Sequence, residues 1–299
     1  MTFSFKKNCS FSPEVFHQCE SMLGEGVIWH EARASIFWLD ISEKRLFERK
    51  LSRGLSRVRS WSLVNTATAL ATVHGADSQI WMLTEIGLVL FNLDTGEQQP
   101  LGTFALPDGF RTNDGGPGPL GRFWFGSMQH SPQEGTGKIF SVGSDGDYRV
   151  EVAKIGIPNT FAAHSQKESI YISDSLLQKT NSYNFIAETN CKFLDFSDQL
   201  CTPDGGAIDS SGNLWIALWD GYSVNCYSPS GKELTAISLP APRPTSCCFG
   251  GKDFRTLFIT SAREGLSEKT LNKYPLSGSV FSVELGVKGA RVSGLFEPV

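Results

Sequence analysis

The sequence predicts an all-β protein, a six-bladed β-propeller of four-stranded antiparallel blades, on three observations. An aromatic residue recurs in a strand-like setting at Trp38, Trp81, Trp124, Tyr171, Trp215 and Phe258, at separations of 43, 43, 47, 44 and 43 residues. A period of about 45 residues is that of a four-stranded unit, which cannot bury both faces alone and must stack around an axis. The clearest copy, Cys201-Thr202-Pro203-Asp204-Gly205-Gly206-Ala207-Ile208-Asp209, is followed by Ser210-Ser211-Gly212-Asn213 and then Leu214 to Leu218. It reads as strand, polar turn, strand, the antiparallel hairpin signal. Thirty glycines, 11% aromatic and 40% hydrophobic residues supply the turns and the core. At 299 residues, one propeller domain spanning 1–299 is expected.

In chain order, Met1 to Ser21 precede the first inner strand, with a turn at Ser12-Pro13 and an outer strand over Glu14 to Gln18. A circular propeller is closed by pairing strands from its two ends, so this segment is expected beside Gly289 to Pro298. Blade one opens at Leu23-Gly24-Glu25-Gly26-Val27-Ile28-Trp29, with Ala34 to Asp40 and Arg45 to Arg49 as its next strands. Glycines flanking Glu25 let the backbone approach closely and leave the carboxylate unobstructed. The alternative is a surface glutamate in a Gly-rich turn.

Blade two runs from Thr68-Ala69-Leu70 through Ile80-Trp81-Met82 to Leu88-Val89-Leu90-Phe91. Blade three carries Arg111-Thr112-Asn113-Asp114-Gly115-Gly116, then Gly121 to Met128. Alternation sets Arg111 and Asn113 on one side of this strand and Thr112 and Asp114 on the other. Arg111 suits a polyhydroxylated or anionic ligand; its alternative is a structural pairing with Asp114 or a loop carbonyl. Gln129 to Thr136, with Pro and Gly, is a loop long enough to overhang a site. Blade four starts at Ile157-Pro158-Asn159-Thr160 and continues through Ser169 to Ser175, where Asp174, like Asp40, reads as a turn residue. Blade five is the stretch from Cys201, ending in the turn Trp219-Asp220-Gly221, and blade six holds Pro244 to Gly251, then Leu257 to Arg263.

The repeat also says which residues meet. Eleven to thirteen residues before the markers lie Glu25, Leu70, Asn113, Asn159, Asp204 and Thr245, each expected near the start of an inner strand. All six should then crowd one end of the axial channel, with aliphatic Leu70 as a plug or wall. Four carry carboxylate or amide oxygens, whose burial without a partner costs roughly a few kcal/mol each. One hard divalent cation satisfies such a set, Ca²⁺ first, with Mg²⁺, Mn²⁺, Zn²⁺ or Fe²⁺ as alternatives.

Net charge −4 and a pI near 5.8 argue against nucleic acid as a partner, and the scattered charges against a membrane surface. Met1 to Cys19 has polar and charged residues where a signal peptide needs an apolar run. Seven cysteines, an odd number without CxxC spacing, fit a reducing compartment, so a cytoplasmic location is expected. The five histidines share no ligand spacing, and no GxSxG, P-loop or GxGxxG context is present.

The phrases Gly24-Glu25-Gly26 with Trp29, Arg111-Thr112-Asn113-Asp114-Gly115, Pro158-Asn159, Pro203-Asp204-Gly205 and Thr245-Ser246-Cys247-Cys248-Phe249-Gly250-Gly251-Lys252 resemble the regucalcin/gluconolactonase family of six-bladed propellers. The likeness covers nearly the whole chain. It implies that Glu25, Asn159 and Asp204 hold one divalent cation and that Arg111 and Asn113 face the substrate. It implies hydrolysis of an aldonolactone, with the cation polarising the carbonyl. Asp204, axial and anionic, is the candidate general base, though a neighbouring cation would keep its pKa low. Gln129, His130 and Ser131 stand where the regucalcin branch often has an acidic pair, so sugar preference does not carry over. Other readings are a calcium-binding regulatory protein without turnover, and a hydrolase of non-sugar lactones or organophosphates.

Overall fold

The computed structural model describes residues 11–51, 57–102, 104–163 and 168–291. It contains six four-stranded antiparallel sheets arranged in a ring, a six-bladed β-propeller. Each blade is a simple meander, as in blade five: Thr202–Ile208, Leu214–Trp219, Ser223–Tyr227 and Glu233–Ser238. The inner strands are Gly24–His30, Ala67–Thr72, Phe110–Pro117, Pro158–Ala163, Thr202–Ile208 and Pro244–Gly250, each packed against the next around the axis. Among the described residues the one α-helix is Glu268–Lys273, capped where Ser267 accepts a bond from the Thr270 N–H. No helix there is long and apolar enough to cross a membrane.

The aromatic period marks the core between sheets. Trp38, Trp81, Trp124, Trp215 and Phe258 are buried, while Tyr171 is half-buried against Phe193, ring centres 4.5 Å apart. Burying each such ring contributes roughly 1.5–3 kcal/mol, so the markers recur where adjacent sheets press together. Asp40 and Asp174, read from the sequence as turn residues, are the last residues of strands Ser35–Asp40 and Ser169–Asp174 and bind the adjoining turns: Asp40 accepts from the Met22, Leu23 and Glu43 N–H groups, Asp174 from Gly156, Ile157, Leu176 and Leu177.

Closure differs in one partner. Glu14–His17 does form the outer strand of blade six, but it pairs with Val280–Glu284 rather than with the expected Gly289 to Pro298. Gly289 instead bridges Asp209 of blade five, and 292–299 lie outside the described residues. Val280–Glu284 is the third strand of its sheet and offers a free ladder; Gly289 comes after that strand has ended. Of the six described cysteines, Cys201, Cys226 and Cys247 are buried, Cys19 and Cys248 half-buried and Cys191 exposed, all as free thiols.

Candidate functional site

Every inner strand slips register once, between Glu25 and Ile28, Ala67 and Ala69, Thr112 and Gly115, Asn159 and Ala162, Pro203 and Gly206, and Pro244 and Cys247. A bulge breaks the alternation of side chains and re-aims them. Glu25, Arg111, Asn113, Asp114, Asn159 and Asp204 consequently line one cavity of about 230 Å³, together with Ser175, Trp219 and Glu264. A larger cavity of about 660 Å³ lies further along the inner strands, and only Asp114 borders both.

The predicted Glu25, Asn113, Asn159 and Asp204 are thus brought together, and Leu70 and Thr245 are not. Leu70 packs in the apolar core of blades one and two and faces the larger cavity, because the slip in blade two falls before it. Thr68, in the same strand, is buried with its Oγ1 3.0 Å from Thr112 Oγ1. Thr245 is buried and donates to the Gly24 carbonyl, tying blade six to blade one beside Glu25. Asp114, assigned by alternation to the far side of its strand, faces the cavity because the bulge lies between Thr112 and Gly115. The cavity wall from the next strand reaches Met128 and includes nothing from Gln129 to Thr136.

One local signal joins the three acids. Each precedes a glycine, and the Gly26 N–H meets Glu25 Oε2 at 3.0 Å and the Gly115 N–H meets Asp114 Oδ1 at 2.7 Å. Gly26 sits at φ 58°, a conformation that costs glycine nothing. In blade four Thr160 takes φ 82°, unusual for a β-branched residue, and is held there by its hydroxyl, 2.6 Å from the Asp204 carbonyl.

The amides are oriented by a relay across blades. Asn113 Nδ2 donates to Asn159 Oδ1 at 2.8 Å and to the Pro158 carbonyl at 3.0 Å. Asn159 Nδ2 donates to Ser175 Oγ at 2.8 Å, and Ser175 donates to the Pro203 carbonyl at 2.5 Å. Both N–H groups of Asn113 are thereby used, and among the described residues nothing donates to its Oδ1. Asn159 Oδ1 keeps a second lone pair. Arg111 donates to the carbonyl of its strand neighbour Thr112 at 3.0 Å.

Glu25, Asp114 and Asp204 are all buried. Burial pushes the Glu25 carboxyl well up, and repulsion from Asp204 and Asp114 pushes it further. Burial and Asp114 do the same to Asp204, while burial raises Asp114 to about 7. Burial lowers Arg111, offset by Glu264, Glu25 and Asp204. Three buried acids lining one cavity are destabilised by their own charge, and a divalent cation would relieve that. The donor set, carboxylates with an amide oxygen, is hard and oxygen-only, which fits Ca²⁺, Mg²⁺ or Mn²⁺. Among the described residues, no three His, Cys, Asp or Glu side chains are grouped so as to hold a metal by themselves; the amide of Asn159 would be needed.

Comparison with known proteins gives a consistent result. Residues 23–263 match the family model described as SMP-30/Gluconolactonase/LRE-like region. The chain is 29% identical over 282 residues to a Bacillus subtilis (strain 168) protein named "Putative sugar lactone lactonase YvrE", covering 90% of this chain and 93% of that one. It is 29% identical over 287 residues to regucalcin of Oryctolagus cuniculus, covering 89% and 92%. Among solved structures, regucalcin of Agrobacterium tumefaciens, described as a calcium-binding protein, superposes with TM-score 0.86 at 28% identity over 97% of both chains. The chain belongs to the SMP-30/gluconolactonase/LRE-like family.

Proposed function

We propose that this chain is a divalent-cation-dependent lactonase that opens aldonolactones, gluconolactone-like cyclic esters, to the aldonic acids. The observation that carries this reading is the convergence of Glu25, Asp114 and Asp204 from three blades beneath Arg111 and Asn113. Glu25, Asn159 and Asp204 would hold the cation, calcium first. When bound, it supplies Lewis-acid polarisation of the ester carbonyl and neutralises the buried acids. Asp204 takes a proton from the attacking water as the water oxygen bonds to the carbonyl carbon. The ring C–O bond then breaks, and the same proton passes to the departing ring oxygen, leaving an open hydroxy acid. Asn113 Oδ1 accepts from a substrate hydroxyl, and Arg111 donates to ring oxygens. The substrate is a small molecule; neither nucleic acid nor membrane takes part. Free thiols at the six described cysteines, three of them buried, support a reducing, cytoplasmic setting for one propeller domain.

The test is proton release from glucono-, galactono-, xylono- and arabinono-lactones, with and without chelator. Turnover of at least one, lost on chelation and restored by calcium, is expected. Asp204→Ala should abolish cation binding and turnover together, a fall of at least about 10³-fold in kcat; retained activity would refute the role. A second reading, cation binding without turnover, draws on the description of the Agrobacterium relative as a calcium-binding protein. It predicts calcium binding by calorimetry and no proton release from any lactone.

A further inference from the structure

The cavity has a second wall, built of neither the acids nor Arg111 and Asn113. It consists of Trp219, the last residue of strand Leu214–Trp219 in blade five, and Glu264, just beyond strand Thr256–Ser261 in blade six. One guanidinium ties them together. Arg243 lies with its Cζ 4.7 Å from the Trp219 ring centre, and its Nη1 donates to the Glu264 backbone carbonyl. Its Nε and Nη2 donate to the two carboxylate oxygens of Asp220 at 2.7 and 3.3 Å, which fixes the planar fork. The Glu264 N–H is held as well, donating to the Met22 carbonyl at 2.8 Å.

Rigid backing contrasts with uncommitted functional groups. Among the described residues the Glu264 carboxylate accepts no hydrogen bond, and the Trp219 indole N–H donates none. Trp219 is half-buried and Glu264 exposed, so both can be reached from the mouth. Arg111 lines the same cavity, so a carboxylate and a guanidinium border one space.

An aromatic surface beside a carboxylate and a guanidinium matches one ligand chemistry in particular. A hydroxylated six-membered ring offers a C–H face for the aromatic and hydroxyls that donate to the carboxylate and accept from the guanidinium. An alkyl lactone would leave the polar pair unused. We propose that Trp219 and Glu264 form the specificity wall of this site: the indole receives the C–H face of a hydroxylated ring, and the Glu264 carboxylate accepts its hydroxyls opposite Arg111. Arg243 is the positioning residue for both. The assignment rests on the lactonase reading for the ester, though not for the hydroxylated ring.

Two readouts separate the two ideas, both taken on the full chain in calcium chloride. The first is calorimetric binding of 1,5-anhydroglucitol, a ring ether with sugar hydroxyls that no ester hydrolase can open. The second is the ratio of kcat/KM for glucono-δ-lactone to that for δ-valerolactone. Trp219→Leu and Glu264→Gln should each lower both the affinity and the ratio about tenfold, chiefly through KM. Trp219→Phe, which keeps an aromatic face and guards against misfolding, should stay within about threefold of the parent. Unchanged affinity and ratio in Trp219→Leu and Glu264→Gln overturn the wall while leaving lactonase activity intact. Ether binding that both variants lose, with no lactone opened by the parent, supports the wall and defeats the lactonase reading. A parent chain that neither binds the ether nor opens a lactone defeats both.

Discussion

Asp114 shows how much a single carboxyl can report. Burial raises it from 3.8 to about 7, so the folded chain binds that proton more tightly than the unfolded chain does. The resulting stability is complete below about pH 4 and disappears as pH rises through about 7. Glu25 and Asp204 shift in the same direction. The chelated protein should therefore melt on the order of 5 °C lower at about pH 8 than at about pH 5.5. Excess calcium should remove the difference, and scanning calorimetry reads both. A chelated chain whose midpoint does not move with pH would mean that the three acids are not crowded together in a buried cavity. Glu25, Asn159 and Asp204 were legible in the sequence because the aromatic period carries them into register. Asp114 was not, since strict alternation assigns it to the wrong side and only the bulge turns it inward. The clue lay in a spacing rather than in alternation: of the several acid–glycine pairs in the chain, Glu25-Gly26, Asp114-Gly115 and Asp204-Gly205 stand 89 and 90 residues apart, two blade periods each time.

At the scale of one element, the inner strands lie close where they bulge. A methyl group on Gly205 would stand 2.5 Å from Ser246 Oγ and 2.8 Å from Ser246 Cα, on the neighbouring inner strand. Backbone cannot yield there as a flexible side-chain tip could. Gly205→Ala should cost about 1–3 kcal/mol, measured by urea unfolding, and should weaken calcium binding by displacing Asp204. A variant as stable as the parent would show that the two strands have room to separate. The strands themselves were readable from their hydrophobic content and turn residues, mostly to within one or two positions. Leu70 and Thr245 were misplaced because counting back from a marker ignores where each strand slips. Trp219 and Glu264 gave no signal of their own. They come from a strand end and a following segment whose convergence depends on the whole ring.

For the molecule as a whole, the ring is fastened by a short strand. Glu14–His17 pairs with Val280–Glu284, and Phe16 packs edge-on against Phe258 with ring centres 5.0 Å apart, under the Arg49 guanidinium at 4.5 Å. A chain lacking residues 1–18 would leave Val280–Glu284 as an open edge, a template for pairing with other chains. It should melt at least about 5 °C lower and scatter light on heating, whereas an unaltered midpoint would show that the strand is dispensable. The six-fold plan was plain from the sequence because one spacing recurs throughout. The closing partner was not, because Val280–Glu284 carries no marker and sits after a helical detour that the period does not contain. This fastening also orders events in time. Glu14 faces Ser282, so the first of the described strands waits for the last of them to be made before it can pair. Five blades can assemble before Val280–Glu284 is made, and any product that stops short of that strand carries an unsatisfied edge for quality control to find.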